Sequence, residues 1–537
     1  MIQTSHIDTF AIDHLPPLEQ QPEFVFDLPE LQLPDYFNCA TELLDKHIEQ
    51  GNGARICLRA AGVTWTYSQL QERANQIANV LVKEMGLIAG NRVLLRAPNN
   101  PMMVACWFAV MKAGAIAVAT MPLLRAKELQ TIISIAQISH ALVDANLADE
   151  INLLDSQNTT LQHILFFNSE ENNSLENAMA RASHQFNNVT TAATDTCLLG
   201  FTSGTTGVPK ATMHFHRDLI AACQCWPQSV LKATADDVFI GSPPLAFTFG
   251  LGGLVLFPMA IGASTVLLEK ASPAQLIAGI EEFKASILFT APTSYRAIAL
   301  QEHGLKGSSL RKCVSAGEAL PASTRQLWKE STGIELIDGI GATEMLHIFI
   351  SHTEDNVKPG ATGKVVSGYQ AKVVDANGQE LAPGTVGFLA VKGPTGCRYL
   401  ADERQKKYVQ NGWNITGDTY LMDSDGYFFY QARTDDMIIS AGYNIAAPEV
   451  EDALMQNEAV AECAVIGVAN EERGQIVKAF VVLKVGFIAS PELTQALQDF
   501  VKNTVAPYKY PRAIEFVEQL PRTATGKLQR FKLKENS

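Results

Sequence analysis

Residues 201–210 read FTSGTTGVPK. Gly204 and Gly207 allow the backbone to bend and turn its N–H groups toward an anion. Thr202, Ser203, Thr205 and Thr206 offer hydroxyl donors, and Lys210 adds a flexible point charge. Such a stretch is built to hold phosphate oxygens. It does not have the G-x-x-x-x-G-K-[ST] spacing of the common nucleotide loop, and the chain also lacks G-x-G-x-x-G, G-x-S-x-G and H-E-x-x-H. A polar surface loop has a similar composition, but placement separates the two readings. The apolar run Cys197–Phe201 precedes the loop and a helical pattern starts at His216. A ligand is therefore expected at the carboxyl end of a strand.

The elements that must carry this loop alternate. Leu70, Ala74, Ile77, Ala78 and Leu81 recur at helical spacing after Ser68, and Gly86 follows the end. Arg92–Arg96 reads as strand, 102–111 as helix and 115–119 as strand, and the alternation continues through 264–268, 287–290 and 313–315. This predicts an α/β domain with largely buried strands. After about residue 360 short strands broken by Gly, Asn and Asp predict a β-rich subdomain. Beyond RTDDMIIS, helices at 448–454 and 491–503 and strands at 463–468 and 479–483 predict a small α+β domain, with its boundary at Thr434–Asp435. The Asn-rich stretch 168–188 reads as a surface excursion.

The chain of 537 residues is too long for one ordinary domain, and 47% apolar with 18% charged residues is a soluble-enzyme composition. A net charge of −14 argues against broad binding to nucleic acid or to an anionic membrane. Nine cysteines without a C-x-x-C, and an N-terminus without a basic and apolar leader, predict a reducing, cytoplasmic setting. Cys223 and Cys225 read as helix or core positions, and His214 with His216 as a helix start, none of them as metal ligands. The apolar stretches 102–124 and 251–268 are interrupted by Lys112 and Gly114 and by Pro258 and Gly262, and read as globular core.

Five further motifs follow the loop in order: SAGEALP (315–321), DGIGATE (338–344), TGD (416–418), RTDD (433–436) and PRTATGKLQR (521–530). With FTSGTTGVPKAT they resemble the ordered motifs of the adenylate-forming enzymes, which include acyl- and aryl-CoA ligases, nonribosomal adenylation domains and luciferases. The resemblance spans nearly the whole chain. It implies an N-terminal domain, 1–434, of mixed sheets flanked by helices with a β-rich subdomain, and a small mobile C-terminal domain, 435–537, hinged at Asp435. It also implies use of ATP, Mg²⁺ and coenzyme A. The implied chemistry has a clear rationale, because a carboxylate is a poor electrophile. Attack on the α-phosphate of ATP gives an acyl-adenylate and pyrophosphate, and a thiol then displaces AMP.

Residue by residue, the resemblance places the β- and γ-phosphates on Thr202, Ser203, Gly204, Thr205, Thr206, Gly207 and Lys210. Gly317, Glu318 and Ala319 would line the adenine, with Ile340 against its other face and Asp338 and Gly339 near its amino group. Many relatives carry an aromatic residue where this chain has Ile340. Thr343 would contact the α-phosphate, Glu344 would bind Mg²⁺, and Asp418 with Arg433 would hold the ribose. Lys527 would bridge carboxylate and α-phosphate during adenylation. Ser440, Ala441, Gly442, Tyr443 and Arg473 would approach coenzyme A after the small domain turns. Ile439 stands where many relatives have lysine.

The stretch ATEMLHIFIS (342–351) resembles benzoate–CoA ligases, and DDMIISAGYNIAAPEVE with PRTATGKLQRFKL resembles their 2-aminobenzoate branch. Thr248 and Phe249 would flank an aromatic ring, Ala316, Gly317 and Gly341 would be narrow walls, and His347 would donate to the carboxylate or to a ring substituent. A satisfied core histidine is the plainer alternative for His347. The expected substrate is 2-aminobenzoate, then benzoate or a hydroxybenzoate. An adenylation enzyme loading a separate carrier protein is the alternative activity, and a monomer or homodimer is expected.

Overall fold

Arg92–Arg96, Ile116–Thr120 and His140–Asp144 are short apolar runs, and in the computed structural model each is a strand buried along its whole length. A strand covered on both faces has no reason to alternate polar and apolar residues. The structure describes residues 2–155, 159–203, 209–301, 305–433, 436–440, 443–470, 473–505, 507–522 and 528–535. These three strands, with His163–Phe167, β1 (Thr196–Ser203) and β2 (Pro209–Phe215), form a six-stranded sheet. All neighbours in it are parallel except β1 and β2. Val93 and Leu95 face the helices Tyr67–Lys83 and Pro101–Lys112, while Leu94, Ile116 and Val118 face the helix Ala126–Ala136.

Local chemistry fixes the helix starts. Thr66 and Gln69 close a capping box, so the first of these helices begins at Tyr67, one residue before the apolar pattern does. Asn100 accepts the Met103 N–H at 3.0 Å ahead of Pro101. The second sheet has nine strands. Its central strands are parallel, and β3 (Leu336–Gly341) and β4 (Ile348–Ser351) form an antiparallel pair toward one end. The third sheet contains β5 (Trp413–Met422) paired with β6 (Phe428–Arg433).

A fourth sheet, from Met437–Ser440 to Ala513–Phe516, packs under the helices Ala447–Met455 and Pro491–Thr504 around Val450, Leu454, Val465, Val481 and Leu497. Sheet membership thus changes between Arg433 and Met437. Thr434 and Asp435, the expected boundary and hinge, lie outside the described residues.

Three expectations need correction. The loop after β1 does not lead straight into a helix, because β2 intervenes and the loop joins two antiparallel strands. Its residues (PKATMHF) alternate too weakly to read as strand beside a buried neighbour. His214 consequently lies on β2, and only His216 starts the helix α1 (His216–Gln224). The polar stretch 168–188 contains the helix Leu175–Arg181, which buries Leu175 and Met179. Cys223 and Cys225 are buried as expected, and no cysteine is in a disulfide. Among the described residues, no helix is long and apolar enough to cross a membrane.

Candidate active site

Backbone pairing delivers the charged centre. The segment 398–400 lies along β2, with the Met213 N–H donating to the Arg398 carbonyl at 2.7 Å and the Leu400 N–H to Ala211 at 2.9 Å. Tyr399 is thereby held opposite Thr212 and close to Lys210. The Lys210 ammonium lies 2.9 Å from the Glu344 carboxylate and hydrogen-bonds the Tyr399 hydroxyl, which in turn donates to Glu344. The same ammonium sits 4.4 Å from the Tyr399 ring centroid and 5.4 Å from that of Tyr408. Burial opposes ionisation of Glu344, yet the Lys210 charge and the Tyr399 hydroxyl hold its carboxyl below the usual range. An ionised, buried carboxylate paired to one cation is suited to receive another.

Thr343 and Glu344 sit in the turn between β3 and β4. Thr343 lies over β1, where a Cβ on Gly200 would come within 2.8 Å of its Cγ2, so that crossing needs glycine. Its carbonyl accepts a hydrogen bond from His214 Nε2 at 2.7 Å. Behind His214 lies a fully buried ion pair, Arg398 Nη1 to Asp218 at 2.7 Å. Leu346, buried, has φ +69° and ψ −48°, a strained conformation for a side-chain-bearing residue. That turn separates the two functions of the segment. Glu344 faces Lys210 and Tyr399, and His347 faces an aromatic enclosure.

The enclosure consists of Phe257 (4.5 Å between ring centroids), Phe249 (5.6 Å) and Trp226 (5.7 Å), with Phe289 behind Phe249 and Trp226. A Cβ on Gly252 would lie 2.4 Å from the His347 ring, and one on Gly341 would meet the His347 backbone. Neither His347 nitrogen has an aligned hydrogen-bond partner among the described residues. Burial pushes its pKa down to about 3, against a weak upward pull from the Phe249 carbonyl, so the ring is neutral at ordinary pH. Thr248 lies beside Gly200, opposite Thr343, and the buried Ala316 follows the strand Lys312–Ser315, next to β3.

Gly317, Glu318 and Ala319 continue from Ala316 along a more exposed rim, with Gly317 at φ +92°. Asp338 is paired in register with Ser315, and its Oδ1 is buried without a partner among the described residues. Gly339 lets β4 approach closely, since a Cβ there would lie 2.7 Å from Ile348, and Ile340 is half-buried. Asp418 on β5 faces Arg433 on β6 at 3.2 Å. Burial raises the Asp418 pKa, and Arg433 only partly offsets this. In the small domain the Arg473 Nε donates to the buried Ser440 hydroxyl at 3.3 Å. Gly204, Thr205, Thr206, Gly207, Ala441, Gly442 and Lys527 lie outside the described residues, as do the side chains of Ser203 and Tyr443.

Asp338 gives a test on pH. Burial pushes its pKa up to about 7. The folded state then prefers the protonated acid, and stability falls as pH rises from about 4 toward 7. Asp338→Asn is expected to raise the Tm relative to wild type at pH 8, with the gap closing near pH 4. A gap that does not widen with pH would show that the carboxylate is compensated in some other way.

Tyr399, His214, Gly200, Leu346 and the rings of Trp226 and Phe257 escape sequence reasoning. None of them lies in one of the ordered motifs, and each acquires its place only from tertiary contact.

Residues 44–399 match the AMP-binding enzyme family, and residues 449–527 match the AMP-binding enzyme C-terminal domain. The chain is 34% identical to a benzoate–CoA ligase of Thauera aromatica, over 94% of this chain and 97% of that one. It is 30% identical to the mitochondrial acyl-coenzyme A synthetase ACSM3 of Homo sapiens, over 94% and 90% of the two chains. Among solved structures, the anthranilate CoA ligase AuaEII in complex with anthranoyl-AMP superposes with a TM-score of 0.89 at 35% identity, covering 95% of this chain and 99% of that one. A benzoate CoA ligase from Burkholderia xenovorans LB400 gives 0.85 at 30%, covering 93% and 100%.

Proposed function

The chain belongs to the AMP-binding enzyme family, as an AMP-forming carboxylate–CoA ligase, and from that premise we propose that it activates a small aromatic acid, 2-aminobenzoate first and benzoate or a hydroxybenzoate next. The observation that carries this reading is His347. A ring with no aligned hydrogen-bond partner among the described residues, inside a wall of aromatic rings, is costly unless a ligand supplies the hydrogen bond. A flat ring bearing a polar substituent meets both requirements, burying apolar faces against Phe249 and offering a partner to the imidazole. The names of the relatives above point the same way.

On this reading, an oxygen of the aryl carboxylate attacks the α-phosphorus of ATP and the bond to pyrophosphate breaks. Thr202 and Lys210 restrain the leaving pyrophosphate, and Thr343 addresses the α-phosphate. Asp418 and Arg433 hold the ribose, and Asp338 accepts from the adenine amino group. The thiol of coenzyme A then attacks the acyl carbon and AMP departs. Glu344, buried and ionised, has the hard oxygen donor that Mg²⁺ requires. Bound there, the ion would neutralise charge on the phosphates. The two domains are 1–434 and 435–537, with Asp435 as the pivot.

The test is a panel of acids scored by coenzyme A-dependent AMP release. Wild type is expected to prefer 2-aminobenzoate to benzoate by about tenfold, the value of one good hydrogen bond. His347→Phe should erase that preference while retaining benzoate activity. A preference for medium-chain fatty acids, or a preference untouched by His347→Phe, would refute the aromatic-pocket reading.

A further inference from the structure

Away from the site just described, three ligating side chains converge at the base of the β1–β2 hairpin. Cys197 follows the first residue of β1, His216 follows the last residue of β2, and Thr196 and Phe215 are register partners. Cys39 arrives from the N-terminal segment. That segment is fixed by the Phe37 N–H to Thr191 at 3.0 Å, by the Thr191 hydroxyl to the Phe37 carbonyl at 2.6 Å, and by the Cys39 N–H to His216 Nδ1 at 3.2 Å. All three side chains are inaccessible to solvent. One ligand atom from each lies within 4.8 Å of the other two.

The polar atoms around this point do not balance. His216 Nε2 and both ring nitrogens of the buried His6 have no hydrogen-bond partner among the described residues. His6 is held nearby. Thr4 and Ser5 donate to the Asp195 carboxylate at 2.6 Å each, and the Asp195 carbonyl accepts the His216 N–H at 3.2 Å. Because the His216 Nδ1 accepts the Cys39 N–H, Nε2 carries the ring proton, and Nδ1 holds the lone pair that a metal would take in place of that N–H.

We propose that Cys39, Cys197 and the Nδ1 of His216 bind one zinc ion. Tetrahedral zinc, with Zn–S of about 2.3 Å and Zn–N of about 2.0 Å, sets its ligand atoms roughly 3.5–4 Å apart, inside the observed separation. Two sulfurs and imidazole nitrogen exclude Mg²⁺ and Ca²⁺, which require oxygen. A closed, solvent-free set is a structural site rather than a catalytic one. It ties the N-terminal segment to the root of the hairpin whose strands carry Thr202 and Lys210. Binding replaces the thiol protons with the metal and expels them to solvent.

The experiment uses the full chain, purified untagged in reductant and without chelator. Elemental analysis is expected to find about one zinc per chain, falling at least tenfold in Cys39→Ser and Cys197→Ser. A second arm on the wild type keeps the test independent of how well those variants fold. Chelator-stripped protein reconstituted with Co²⁺ should show sulfur-to-cobalt charge transfer and the intense visible bands of a tetrahedral site. Metal removal should also lower the Tm of wild type. The proposal is overturned if wild type neither retains zinc nor takes up Co²⁺ while its thiols titrate as free, if copper is the metal found, or if Cys39 and Cys197 are joined in a disulfide as purified.

Discussion

Glu344→Gln is expected to lower acid-dependent pyrophosphate exchange by about two to three orders of magnitude, as is usual when a preorganised charge is removed from a phosphoryl-transfer site. Glutamine keeps the volume and can still accept from the Tyr399 hydroxyl, so the turn at Leu346 should survive. The substitution removes the carboxylate that binds Lys210 at 2.9 Å. The ammonium is then left half-buried against two tyrosine rings with no counter-charge from residue 344. In wild type, Lys210 and Glu344 satisfy each other before nucleotide arrives. Phosphate and cation must replace those partners one for one, which costs little because both charges stay paired throughout. Tyr399→Phe separates positioning from charge. It removes one hydrogen bond to each partner and should raise the Mg²⁺ concentration for half-maximal exchange by about five- to tenfold, with a smaller loss of rate at saturation. Exchange at wild-type rate in Glu344→Gln at any Mg²⁺ concentration would remove Glu344 from the site.

The resemblance carried by the ordered motifs made the fold class legible, and it named the residues from which the candidate centre is built. SAGEALP ends a parallel strand, DGIGATE is the strand beside it with the turn that follows, and TGD faces Arg433 across an antiparallel pair. The partners that complete each residue were not legible. Tyr399 reaches Lys210 because segment 398–400 adds to the edge of β2, a pairing between residues 185 or more positions apart in the chain for which no local pattern exists. Gly200 looks like any small residue in a buried strand until Thr343 is seen to cross it. β2 itself was missed because a buried edge strand following a loop lacks the alternation that identifies a half-exposed one. His347 was singled out by its motif, yet the property on which the proposal rests, two nitrogens with no aligned partner among the described residues, is a fact of packing.

Lys527→Ala should divide the reaction into its halves. The residues on either side of 523–527 are anchored within the small domain. Arg522 and Leu528 pair in an antiparallel bridge, and the Gln529 N–H donates to the Pro521 carbonyl at 2.8 Å. Arg530 donates twice to Glu451 at 2.7 Å and lies 3.9 Å from Asp436, which Lys534 also approaches at 3.5 Å. These contacts fix both neighbours of residues 523–527 to the small domain, next to the residue that follows the proposed pivot. On the proposed reading, a rotation about Asp435 carries the anchored segments on either side of 523–527 with the small domain, and the Lys527 charge serves one half-reaction and not the other. Adenylate formation should fall at least about a hundredfold, the cost of losing a positioned charge between two anions. Thioester formation from supplied aryl-AMP should stay close to wild type. Arg473→Ala, which frees the buried Ser440 hydroxyl, should show the opposite split, sparing exchange and slowing thioester release. Equal losses in both halves for either variant would mean that the two faces of the small domain are not used in turn, and normal exchange in Lys527→Ala would contradict the bridging role itself.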